Sequence, residues 1–143
     1  MSATPIKLTF MQVVNLSDAL PQLDGYMSDG KATPFKLDHN TRWNYGKNLG
    51  IFNDDTKKIQ EGRDTEIRRV SPTNLNVSKE PKEVQEAYAK WSKDYYNTII
   101  EVPGVLKLKR SKLYAHDNPI PGTVIAALMP IIEDDGEMPD SSK

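Results

Sequence analysis

Two stretches, residues 38–70 and 78–99, carry apolar side chains at alternating three- and four-residue steps, the period of an amphipathic helix. Together they make up more than a third of the 143 residues, so the fold must be built around this pair. The first stripe runs Tyr45, Leu49, Phe52, Thr56, Ile59, Arg63, Ile67 and Val70. At 100° per residue it stays within about 80° of arc. The second runs Val84, Tyr88, Trp91, Tyr95 and Ile99, leaving Lys82, Glu86, Lys90, Lys93 and Asn97 elsewhere, and the helical spacing of its aromatics reads as core. A connector of about ten residues, 71–81, joins them, and the simplest packing is an antiparallel hairpin. Asp38 supplies an N-cap for the first helix, and Ser78 with Pro81 marks the start of the second. Thr56 and Arg63 stand where a tight seam would take leucine, which suits both a loose monomer and a subunit that self-associates. Trp43, Gly46 and Gly50 lie nearly opposite this stripe. Interior glycine weakens a helix by roughly 1 kcal/mol. The alternatives are a close backbone neighbour at the glycines or a break near Gly50.

Shorter elements flank the hairpin. Thr9 and Gln12 fit a capping box, opening a helix with Phe10, Val13, Val14, Leu16, Leu20 and Leu23 that Pro21 ends or kinks. Gly25 and Gly30 bracket a polar loop running to Pro34. After Ile99 the period changes to alternation through Ile100, Val102, Leu106, Leu108 and Arg110, reading as one or two short strands around the Pro103-Gly104 turn, with a small hairpin as the paired form. Residues 118–122 then enter a last short helix with Val124, Ile125, Leu128, Ile131 and Ile132, limited by Pro130. The expected fold is α+β and mainly helical: an antiparallel helical hairpin, short N- and C-terminal helices and a small strand element. Residues 1–134 form one domain in this reading, and residues 135–143 an acidic disordered tail.

Reactive chemistry is sparse. The chain has no cysteine, which excludes disulfides and thiolate metal sites. Neither histidine, His39 nor His116, has a partner at metal-ligand spacing. His116-Asp117 falls in a loop with no nucleophile motif nearby, and Gly46-Lys47 lacks the Ser or Thr of a phosphate loop. Residues 133–137 carry calcium-type oxygen ligands without the spacing of a calcium loop. No catalytic residue, metal or cofactor is expected. No stretch approaches the roughly 20 apolar residues that span a bilayer. Met1–Lys7 is not patterned as a secretory signal, so a reducing compartment is expected.

Net charge is −1, but unevenly distributed: residues 133–143 sum to −4, leaving +3 on the rest. The densest basic patch is Lys107, Lys109, Arg110 and Lys112. With Leu106 and Leu108 facing inward, its lysines form either an outward row for a partner or a solvated strand face that guards an edge. Trp43, and Tyr96 set off the main aromatic stripe, are the aromatic candidates for an exposed contact. Candidate partner-binding residues are therefore Trp43, Tyr96, Lys107, Lys109, Arg110 and Lys112. The partner expected is a protein, with nucleic acid as the alternative, held through the basic residues. The acidic end can also mimic a polyanion toward a basic partner.

Residues Lys7-Leu8-Thr9-Phe10 through Leu20-Pro21-Gln22-Leu23-Asp24-Gly25-Tyr26, and the ending Asn118-Pro119-Ile120-Pro121-Gly122 through Ile131-Ile132-Glu133-Asp134, resemble small uncharacterised proteins of tailed bacteriophages. The likeness spans most of residues 6–134 and rests on caps and turns. It implies an origin and assigns no activity or functional residue. Two roles are compatible with it: an accessory protein that binds and inhibits or redirects a host protein in the bacterial cytoplasm, and a virion or assembly component.

Overall fold

Thr9 opens the first helix as its spacing predicts. Its hydroxyl accepts the Gln12 N–H at 3.1 Å, while Gln12 Oε1 accepts the Thr9 N–H at 2.9 Å. The computed structural model describes residues 5–135. Strand β1 (Ile6–Thr9) leads into helix α1 (Phe10–Ala19), which ends in a 3₁₀ turn, Leu20–Asp24, with Pro21 in its first turn. Strands β2 (Gly25–Ser28) and β3 (Lys31–Pro34) follow, then helix α2 (His39–Val70) and helix α3 (Lys82–Tyr96). Strand β4 (Ile99–Val102), strand β5 (Leu108–Lys109), helix α4 (Arg110–Leu113), helix α5 (Gly122–Leu128) and strand β6 (Ile132–Glu133) complete the described chain. The architecture is α+β and mainly helical.

Helix α2 is 32 residues long, about 48 Å at the helical rise. Asp38 caps it, its carboxylate accepting the Thr41 N–H at 2.9 Å. Its buried positions are Thr41, Tyr45, Asn48, Phe52, Thr56 and Ile59, close to the expected stripe. Burial stops there: Arg63, Ile67 and Val70 are half-exposed. The far half of α2 and the first turns of α3 thus form an arm without buried side chains, while the end of α3 returns to the core, Tyr95 packing edge-on against Phe10 at 5.0 Å. The arm is antiparallel, because advancing along α3 means retreating along α2. Tyr88 lies in the field of Arg63, Asp64 and Glu66, whereas Tyr95 donates its hydroxyl hydrogen to the Ile59 carbonyl at 2.7 Å.

Val13, Leu16, Leu20 and Leu23 from the N-terminal segment meet Phe52 of α2, Leu108, Leu113, Leu128 and Ile131, all 1% exposed or less. Each such side chain contributes about 1.5–3 kcal/mol through its burial. Asn118, 5% exposed, is a polar staple within this core. Its amide donates to the Lys36 and Leu113 carbonyls at 2.9 and 2.8 Å, and its oxygen accepts the Lys36 N–H at 2.9 Å. One side chain thereby fixes the entry to α2 beside the end of α4.

Several expectations need correction. Residues 25–34 are a hairpin, not a polar loop: Asp29 and Gly30 take φ of 52° and 77°, the positive pair of a tight two-residue turn. The 99–110 region does not pair with itself. Strand β4 pairs antiparallel with β1, and β5 pairs parallel with β6. Helix α4 replaces the alternation expected to run on to Arg110, and Ile132 belongs to β6, not to a helix. No residue of α3 is buried; Val84, Tyr88, Trp91 and Tyr95 are half-covered, and Ile99 is 65% exposed on β4. Helix α2 runs unbroken through Gly46 and Gly50, where an added Cβ would meet nothing within 4 Å, so neither glycine serves a close backbone contact. The tail expected over residues 135–143 lies outside the described residues from 136 onward, while Asp135 is bonded to Ser111.

Candidate functional site

The segment after β4 is held by Asn48, which is fully buried on α2. Its amide donates to the Leu106 carbonyl at 2.5 Å and its oxygen accepts the Leu106 N–H at 2.8 Å. With Leu106 pinned and Leu108 buried at 1% exposure, the alternation of β5 turns Lys107 and Lys109 outward. Leu113 is also fully buried and anchors α4, so Lys112 stands on its exposed side. These lysines face the first turns of α2. Asp38, Asn40, Thr41, Asn44, Lys107, Lys109 and Lys112, with Leu108 at the base, line a cleft of about 420 Å³. An adjoining groove of about 570 Å³ shares Asn44 and Lys107 and adds Pro5, Ile6, Val105, Leu106 and Glu133.

The cleft is electropositive. Hydrogen bonds from Thr41 hold the Asp38 carboxyl below the usual carboxylate range, with Lys112 and His39 also favouring the anion. Asp38 is therefore ionised at neutral pH, and Lys112 Nζ lies 4.0 Å from its Oδ2. Three lysines against one carboxylate leave an excess of two positive charges, and the α2 N-terminus adds the positive end of the helix dipole. Asn40, Asn44 and Thr41 line the same cleft with amide and hydroxyl groups. This arrangement suits a carboxylate-bearing or other anionic group. Among the described residues, no group of three or more histidine, aspartate or glutamate side chains is placed to hold a metal ion.

Arg110 is oriented differently from the lysines. Its guanidinium pairs with Asp134 at 3.0 Å, and it does not line the cleft. Beside it, the Ser111 N–H donates to Asp135 at 3.0 Å and the Ser111 hydroxyl donates to the same carboxylate. These bonds from Ser111 lower the Asp135 carboxyl, with Lys109 contributing.

The two aromatic candidates lie apart from one another. Trp43 is 67% exposed near the start of α2, with Lys47 Nζ 5.8 Å from its ring centroid. Tyr96 is not a freely exposed contact. It is half-buried, packs edge-on against Tyr95 at 5.5 Å and lies in the field of Arg63. Arg63 lies 19 residues beyond Asn44 on the same helix, about 28 Å away at the helical rise. The arm instead carries an aromatic stack, Tyr88 on Trp91 at 5.6 Å and Trp91 on Tyr95 at 4.6 Å. Asn40, Thr41 and Asn44 complete the cleft and Asn48 pins the segment beside it, and none of the four carries a chemical signature in sequence. Asn48, between Tyr45 and Phe52 on the buried stripe, is the one whose helical position marks it.

No helix among the described residues is long and apolar enough to cross a membrane. No family model matches the chain, and comparison with curated proteins and with solved structures yields no match.

Proposed function

We propose that the protein is a non-catalytic bacteriophage accessory protein that grips an acidic surface of a host protein with the lysine cleft. The observation that carries this reading is the convergence of Lys107, Lys109 and Lys112 on the polar first turns of α2. Acidic protein is favoured over nucleic acid because the lysines are confined to one small cleft and the whole chain carries a net charge of −1. A duplex binder presents a broad basic stripe instead. The likeness of residues 7–26 and 118–134 to small phage proteins supports the origin and, with it, action in the host cytoplasm.

A second reading, a self-assembling virion or assembly subunit, is favoured by the half-covered Tyr88–Trp91 stack on the arm. Cross-linking mass spectrometry on the complex captured from host lysate separates the two. Links from Lys107, Lys109 or Lys112 to acidic stretches of one host protein support the cleft reading. Links confined to α3, joining copies of this chain or phage structural proteins, replace it with the assembly reading.

A further inference from the structure

The segment that follows α5 brings carboxylates against the basic run residue by residue. Strands β5 and β6 pair in parallel, Leu108 opposite Ile132 and Lys109 opposite Glu133. Glu133 and Lys107 line the same groove. Asp134 meets the Arg110 guanidinium at 3.0 Å, and Asp135 is bound by both donors of Ser111. From this register we infer that Glu133–Asp135 is an intramolecular competitor of the lysine cleft, a strap that an acidic partner must displace to bind fully. The inference rests on the cleft being the partner-binding surface and names how that surface is regulated.

The strap is built to be displaced. Its strand pairing covers only two residues. Its ion pair is partly exposed, with 34% of the Arg110 and 70% of the Asp134 side-chain surface in solvent, and solvent weakens such a pair. Glu133 shares a groove with Lys107 and is the strand partner of Lys109, and Asp135 lies in the field of Lys109, so the strap bears on two lysines that an incoming acidic segment needs. Binding and strap release are therefore coupled, and the segment makes the cleft selective for partners bearing several carboxylates.

The test uses a fluorescein-labelled oligoglutamate peptide and fluorescence anisotropy on the full chain. Ser111→Ala removes the hydroxyl that holds Asp135 without changing the charge of the cleft, and should tighten peptide binding about twofold or more. Glu133→Gln/Asp134→Asn/Asp135→Asn should tighten it about fivefold to tenfold, the weight of a few exposed ion pairs. Hydrogen exchange at Ile132 and Glu133 should accelerate when the unsubstituted protein is saturated with peptide. Unchanged affinity in both variants, with binding still abolished by Lys107→Gln/Lys109→Gln/Lys112→Gln, overturns the competitor and leaves the cleft standing. Tightening by charge removal alone, with Ser111→Ala inert and strap exchange unchanged, also overturns it, because the effect is then a field and not a contact. Failure of the unsubstituted and strap-neutralised proteins alike to bind the peptide overturns the cleft reading itself.

Discussion

Replacing Asn48 by alanine tests how the cleft is held. The side chain is fully buried and makes paired bonds of 2.5 and 2.8 Å to one residue, Leu106. Truncation leaves the Leu106 N–H and carbonyl without those partners, each costing about 1–3 kcal/mol if sealed from water. Leu106 is half-exposed, so water recovers part of this and the lower half of the range applies. The expected loss is about 2–4 kcal/mol against a domain stability of about 5–15. Asn48→Ala should therefore still fold, with its urea midpoint lowered by about 1–2 M. Far-UV circular dichroism during urea unfolding gives the global cost, and exchange of the Leu106 amide reports the local one. Asn48→Asp refines the test. The carboxylate still accepts the Leu106 N–H but faces the Leu106 carbonyl, so its folded pKa rises above the unfolded value. Stability relative to the unsubstituted protein is then lowest above that raised pKa and recovers as pH falls through it. A loss below about 1 kcal/mol in Asn48→Ala, with Leu106 exchange unchanged, would refute the clamp.

Three further perturbations probe the scaffold. A Cβ at Gly62 would collide with the Tyr95 hydroxyl that bonds Ile59. Gly62→Ala should thus destabilise by about 1–3 kcal/mol despite a propensity gain of up to about 1, and Tyr95→Phe should relieve most of that loss in a double-mutant cycle. The Thr56 hydroxyl is buried without a hydrogen-bond partner among the described residues. Thr56→Val should leave stability unchanged or raise it by up to about 1 kcal/mol, and a loss on thermal melting would reveal a bond to that hydroxyl. Burial, reinforced by a bond to Asp24, pushes the Tyr45 phenol above its ordinary range. Above pH 10 the unfolded chain loses a proton that the folded one keeps, so stability falls by about 1.4 kcal/mol per pH unit from this group. Urea unfolding between pH 9 and 11 should show a shallower fall in Tyr45→Phe.

Local signals were well expressed in the sequence. The Thr9–Gln12 box, the Asp38 cap, the break at Pro21 and the buried positions Tyr45, Phe52, Thr56 and Ile59 all follow from interactions within a few residues. Pairings between distant segments were not legible. Strand β1 finds β4 90 to 96 positions away, and nothing in Ile6–Thr9 encodes its partner. The parallel bridge between β5 and β6 depends on α5 returning the chain to Leu108. Asp29-Gly30 was a readable turn signal that the polar surroundings obscured. At the candidate site the lysines were visible as a cluster, but separating Arg110 from them required knowing where Asp134 lies. The aromatic stripe of α3 had core spacing, yet periodicity does not tell whether a second layer exists to cover it.

Comparative affinity capture from bacterial lysate addresses the lysine cleft itself, using the full chain beside Lys107→Gln/Lys109→Gln/Lys112→Gln. If the cleft is the binding surface, one stoichiometric host protein is retained by the unsubstituted chain and lost by the variant, whose melting temperature stays the same. Equal retention of that protein by both chains would contradict it.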